Sequence, residues 1–306
     1  MDRHKSLDPF AISIMVALCA LWGSNQGILK LTAVEVHPVF QVGLRCLIAA
    51  VLVLVWAILR RERADLRDGT LLPGLVAGFL FGVEFLIVAV GLGYTTASHM
   101  SVFLYTAPVF TALGMNMLVP EERFGAGQWA GVLLAFGGVF AIFASEFLSD
   151  RPIDPRQLLG DALGMLAGLL WAVTTIVVKA SRLTEASASK VTFYQLSIGA
   201  VMLLAVSPFL PYGADTRMSA WAWGSILWQA VIIAFVSYLV WFWLMKTYSA
   251  SKLSIASFLT PIFGVAFGVL VLDETVTVHF TGGAVLILIG IALVNGAFTR
   301  RRTRSA

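Results

Sequence analysis

Ten apolar stretches of about twenty residues follow one another along this chain, and few folds in water could use them. By hydropathy they run at 10–30, 38–59, 71–92, 97–118, 126–146, 157–179, 190–210, 221–246, 253–271 and 279–298. Each is long enough, or nearly so, to cross roughly 30 Å of hydrocarbon as a helix. Backbone amides and carbonyls find no partners in lipid, so a spanning segment is a helix or part of a closed barrel. The ten-residue alternation of barrel strands is absent. Hydrophobic residues make up 59% of the chain and charged residues 12%, about half the charge fraction of a soluble domain. The expected fold class is an all-α polytopic membrane protein with ten transmembrane helices. The formal charge of +4 sits in connectors and tails, which does not point to nucleic acid. Arg3 and Lys5 before an apolar run resemble the start of a signal peptide. That run continues past Trp22 and has an internal counterpart, so it is read as a retained span.

The chain also repeats itself. Tyr94, Thr106, Pro108, Phe110 and Glu122 recur as Tyr248, Thr260, Pro261, Phe263 and Glu274, and Trp22 and Lys30 recur as Trp171 and Lys179. The offset is 149 residues at the tryptophans and 153 at the prolines. With five spans per copy, the second copy enters the membrane from the opposite side, which predicts two inverted five-helix repeats at 10–146 and 157–298. The bases agree. With a cytoplasmic N-terminus, 16 of the 21 lysines and arginines fall in the tails and even-numbered connectors, against Lys30, Arg151, Arg156 and Arg217 on the other side. Both termini are therefore expected in the cytoplasm.

Short connectors leave the chemistry within the helices or at their ends. Glu84 lies mid-span, where a carboxylate facing lipid is costly. Three roles stay open for it: binding a substrate ammonium, carrying a coupling proton, or pairing with Arg45. Arg45 itself has the further options of snorkelling to the surface or gripping a substrate carboxylate. His99 reads as a hydrogen-bonded interfacial histidine at the start of span four, or as a substrate contact or pH-sensitive gate. No second histidine stands at metal-ligand spacing, so neither a metal nor a cofactor is expected. Tyr105 precedes Pro108 and suits a cavity wall. Trp22 and Asn25 share a helical face with the register of Trp171 and Thr174, and Tyr238 and Trp241 stand three apart on span eight. The bland alternative for each is interhelical packing.

Pro108 and Pro261 each remove an amide donor from a matching span, so both are candidate bends or hinges. Glycines at intervals of four, as in Gly74, Gly78 and Gly82 or Gly160, Gly164 and Gly168, predict close helix approach, either static or sliding. Cys19 and Cys46 read as small packing residues. Glu122 and Glu274 are expected to cap the helices that follow them. No phosphate-cradling Gly-Lys-Ser/Thr motif, His-Glu-x-x-His site or Gly-x-Ser-x-Gly elbow is present, so an ATP motor or a hydrolase is not indicated.

The sequence resembles the EamA-like members of the drug/metabolite transporter superfamily. The likeness is carried by Trp22, Gly23, Ser24 and Asn25, by Thr106, Pro108 and Phe110, by Glu121 and Glu122 before Gly127, Gly131 and Gly138, and by the second-copy set Thr260, Pro261, Asp273, Glu274, Gly282, Gly283 and Gly290. It implies a ten-helix carrier of a bacterial inner membrane with a central chamber open alternately to each side. Trp22, Glu84, His99, Tyr105, Trp171, Tyr238 and Trp241 would line that chamber. Within the family the chain looks like exporters of aromatic and other amino acids. The partners implied are small solutes, membrane lipids and, for coupled transport, protons, with the carrier expected as a monomer. Export of lipophilic cations and passive facilitation are the alternatives.

Overall fold

The structure is a computed structural model that describes residues 8–62, 68–118, 124–148, 154–210, 218–248, 257 and 259–294. Its regular elements among these residues are helices. In chain order the α-helices are α1 (Pro9–Thr32), α2 (Pro38–Leu59), α3 (Leu71–Gly91), α4 (Ala97–Leu104), α5 (Ala107–Leu118), α6 (Ala126–Leu148), α7 (Pro155–Lys179), α8 (Ala188–Val206), α9 (Ala220–Trp228), α10 (Ser237–Thr247), α11 (Leu259–Val271) and α12 (Val278–Val294). A π-helix, Gln229–Val236, joins α9 to α10. Seven helical stretches among the described residues are long and apolar enough to cross a membrane. Shorter apolar helices at Ala126–Ile142, Leu259–Val271 and Val278–Leu293 supply the rest of a ten-span bundle.

Local sequence explains where several helices begin. Asp8 accepts the Ala11 amide at 2.8 Å just before Pro9, and Asp154 accepts the Arg156 amide at 2.9 Å just before Pro155. An oxygen acceptor followed by proline starts a helix cheaply, because proline's missing donor would have gone unused there. The bundle is apolar on its outer face, and its largely apolar interior encloses the buried polar side chains. On α2, Val51, Leu54, Val55 and Ile58 form an exposed stripe, whereas Gln41 and Arg45 are buried on the same helix. Such a stripe would drive aggregation in water and is satisfied by lipid tails.

Glycine ridges set which helices touch. A Cβ added at Gly78 of α3 would lie 2.5 Å from Ile198 and 2.6 Å from the Tyr194 carbonyl on α8. One at Gly168 of α7 would meet the Leu104 carbonyl at 2.9 Å. In the same way α11 lies against α1 and α4, and α12 against α6. Gly127 of α6, by contrast, has open space beside it.

Two spans are irregular. Span four breaks at Tyr105 and Thr106, between α4 and α5, because Pro108 has no amide to give the Leu104 carbonyl. The Thr106 hydroxyl donates to the Phe103 carbonyl at 2.7 Å beside the break. The chain preceding Pro261, from 249 to 256, lies outside the described residues. Span eight, expected as an ordinary helix, contains the π-helix, with the Ser237 hydroxyl bonded to the Ile233 carbonyl at its end. Widened turns of this kind recur at functional sites.

Candidate functional site

The predicted residues fall into an interior group and a group at one end of the bundle. In the interior, the Trp22 indole N–H of α1 donates to the Ser237 hydroxyl at 2.8 Å, and its ring meets Trp241 of α10 edge-on at 5.4 Å. Tyr105 meets Trp171 of α7 edge-on at 5.3 Å. All five of Trp22, Tyr105, Trp171, Tyr238 and Trp241 keep some exposed surface, while their polar neighbours are buried. Tyr238 follows Ser237 at the start of α10 and is half-buried. Thr174 is buried, but its hydroxyl donates to the Leu170 carbonyl at 2.9 Å of its own helix. That bond uses the donor expected for a solute.

Arg45 and Glu84 do not pair. Arg45 is 2% exposed; its Nη1 donates to Asn25 Oδ1 at 3.2 Å and its guanidinium lies 4.8 Å from the Phe85 ring centre. Its Nε is enclosed and has no hydrogen-bond partner. Glu84 is 4% exposed. The ion-pair role weighed for Glu84 is thereby corrected: Asn25 and Phe85, not the carboxylate, hold the guanidinium. Snorkelling of Arg45 is corrected for the same reason.

His99 stands apart from this group. Its Nδ1 is 2.8 Å from Asp161 Oδ2, and its ring stacks on Phe280 of α12 at 4.1 Å and 13°. The other Asp161 oxygen accepts from the Thr95 hydroxyl. Asp161 is 1% exposed, and sequence reading passed over it. The available signal was an acid inside the sixth apolar run. Nearby, Glu274 accepts the Ala97 amide at 2.7 Å, the Ser98 amide at 2.9 Å and the Ser98 hydroxyl at 2.7 Å. Lys30 of α1 lies 3.3 Å from Glu274 and donates to the Thr95 carbonyl at 3.0 Å. Glu274 therefore caps α4 rather than the helix that follows it, since the α11–α12 connector folds back onto the start of span four. Glu122, its counterpart, lies outside the described residues.

Burial works against ionisation of Glu274. The Ser98 and Ala97 hydrogen bonds and the Lys30 charge outweigh it and hold the carboxyl below its ordinary value of 4.5. Among the described residues no cluster of three or more His, Cys, Asp or Glu side chains is placed to hold a metal ion.

A ten-span helical bundle with polar and aromatic side chains turned inward is the architecture of a membrane protein that handles small solutes. The profile of the EamA-like transporter family matches residues 9–144 and 158–296, and this chain belongs to that family. The family is one of transporters, not enzymes. The uncharacterized transporter YoaV of Bacillus subtilis is 26% identical over 94% of this chain and 97% of its own length. Two relatives bear the name "Probable amino-acid metabolite efflux pump". The one from Salmonella typhimurium is 26% identical over 95% of this chain and 96% of its own length. The one from Escherichia coli is 23% identical over 91% and 92%. A crystal structure 15% identical in sequence superposes with a TM-score of 0.64, covering 94% of this chain and 96% of the other, and shares the fold.

Proposed function

We propose that this chain exports amino acids, aromatic and other neutral ones, and related small metabolites across a bacterial inner membrane by alternating access. The observation that carries this reading is the placement of Trp22 and Trp241 at the buried Ser237, next to Tyr238, and of Tyr105 against Trp171. Aromatic faces suit apolar side chains, and the few polar groups among them suit a small zwitterion better than a polyanion. The names of the Salmonella and Escherichia relatives support the same substrate class.

Two inverted halves, 10–146 and 157–298, complete the proposal. The helix contacts support it because they come in mirrored sets: α3 with α8 answers α2 with the π-helix, and α1 with α11 answers α7 with α4 and α5. Both termini are read as cytoplasmic and the carrier as a monomer. Pro108 and Pro261 are the proposed hinges. His99 belongs to the closure at the Glu274 end, and Thr174 to the α7 wall. Glu84 is the candidate proton carrier if transport is coupled; passive facilitation needs no such group.

Glu84, a buried acid among aromatic rings, also favours a second reading, export of lipophilic cations. Proteoliposome flux with Phe, Trp, Thr and Met against a polyamine and a lipophilic cation separates the two. Selective flux of the amino acids is expected. Selective flux of the cations overturns the first reading, and flux unaffected by a pH gradient removes proton coupling.

A further inference from the structure

We propose that Arg45 and Glu84 form a two-charge clamp that selects zwitterions, with Arg45 taking the solute's carboxylate and Glu84 its ammonium. The inference rests on the amino-acid reading above and specifies how the interior site would recognise its cargo. It starts from an energetic oddity. Two side chains of opposite formal charge, on the neighbouring helices α2 and α3, are each almost wholly buried, at 2% and 4% exposure. A purely structural pair would close into a direct ion pair, because an uncompensated charge in a low-dielectric interior is far costlier than a compensated one.

Here the two do not close. Of the five guanidinium N–H donors, one is used by Asn25 and the group also interacts with the Cys46 thiol, while the enclosed Nε has no partner. No side chain or backbone amide among the described residues donates a hydrogen bond to Glu84. Asn25 and the Phe85 ring fix the guanidinium away from the acid, so Asn25 acts as a positioning residue.

A solute bearing one carboxylate and one ammonium on adjacent atoms would satisfy both groups at once and leave the site neutral. Arginine suits the carboxylate because its planar fork can grip two oxygens together. Asn25, which holds the guanidinium, stands one helical turn from Trp22 on α1, and Trp22 bonds Ser237 and meets Trp241 edge-on, so an aromatic wall lies beside the clamp. A solute lacking either charge would leave a buried partner exposed to that lack, a penalty that discriminates more sharply than a missing methylene.

The test is flux into proteoliposomes of phenylalanine, phenylethylamine, which lacks the carboxylate, and 3-phenylpropionate, which lacks the ammonium. Wild-type protein is expected to favour phenylalanine over either analogue by roughly ten- to hundredfold. In Arg45→Gln the advantage over phenylethylamine should vanish while that over phenylpropionate persists, and in Glu84→Gln the reverse should hold. Arg45→Lys, which keeps the charge but not the fork, should recover part of the preference. Melting curves of each purified variant distinguish lost selectivity from lost folding. If a variant does not fold, competition by the two analogues for phenylalanine flux through wild-type protein decides. Competition by either analogue as strong as that by unlabelled phenylalanine overturns the clamp, as does a variant that slows all three fluxes alike. Flux of the polyamine or lipophilic cation with none of the three phenyl compounds overturns the amino-acid reading instead.

Discussion

Neutralising Glu274 should loosen one end of the bundle, and the structure gives the size of the effect. The carboxylate accepts three hydrogen bonds from the start of α4 and faces Lys30 at 3.3 Å. In Glu274→Gln one carbonyl oxygen remains and the charge is gone. Bonds to a charged acceptor contribute about 1.5–3 kcal/mol each and neutral ones about 0.5–1.5 kcal/mol. The Lys30 side chain is 33% exposed, so its pair adds less than about 1 kcal/mol. With water recovering part of the loss once the end opens, the net weakening is about 2–3 kcal/mol, a roughly 30- to 150-fold shift toward separation of α4 from the α11–α12 connector. Spin labels at Tyr94→Cys, just before α4, and Val278→Cys, at the start of α12, both exposed sites, report it when the buried Cys19 and Cys46 are replaced by alanine. Wild-type protein should give one short distance, and E274Q a second, longer population. The carboxyl ionises below pH 4.5, so its contribution is complete above that pH and is lost as pH falls through the depressed value. Unchanged distances and melting in both E274Q and Glu274→Ala would refute the reasoning.

Three further outcomes are expected. Asp161→Ala strands the His99 ring and the Thr95 hydroxyl in a buried setting and should cost about 1–3 kcal/mol; in a double-mutant cycle with His99→Ala, measured by denaturant melts, the two losses should sum to more than the double variant loses. Gly78→Val drives a side chain into Ile198 and the Tyr194 carbonyl and should cost about 1–3 kcal/mol, read as a lowered melting temperature; an unchanged value would mean α3 and α8 are not in contact. Asp68, between α2 and α3, is held at about 2 by hydrogen bonds from Lys190 and Thr70. Its tether to α8 should persist in hydrogen exchange down to pH 3.8 and fail as pH falls toward 2, whereas Asp68→Asn should abolish that pH dependence.

Individual residues mark how far sequence reading reached. Trp22, Tyr105, Trp171, Tyr238 and Trp241 were legible because a bulky aromatic in a polar-bearing helical register points inward. The break before Pro108 followed from a missing amide. Asp161 was not legible: nothing near position 161 announces that Thr95 and His99, more than sixty residues earlier, arrive beside it. The role of Glu274 was half legible, since an acid before a helix reads as a cap for that helix, and proximity in space chose another. The π-helix has no cue in the alternation of its residues.

Membrane class, span number and the proposed orientation rest on hydropathy and on the placement of lysine and arginine. These are sums over local side chains and need no knowledge of neighbours. Which polar groups pair and which stay open is a matter of contact between distant segments. Lipid supplies no hydrophobic force to bring helices together, so glycine ridges and shape decide which faces meet. Tertiary packing therefore tied Glu274 to α4, gave His99 its aspartate, and kept Arg45 and Glu84 apart.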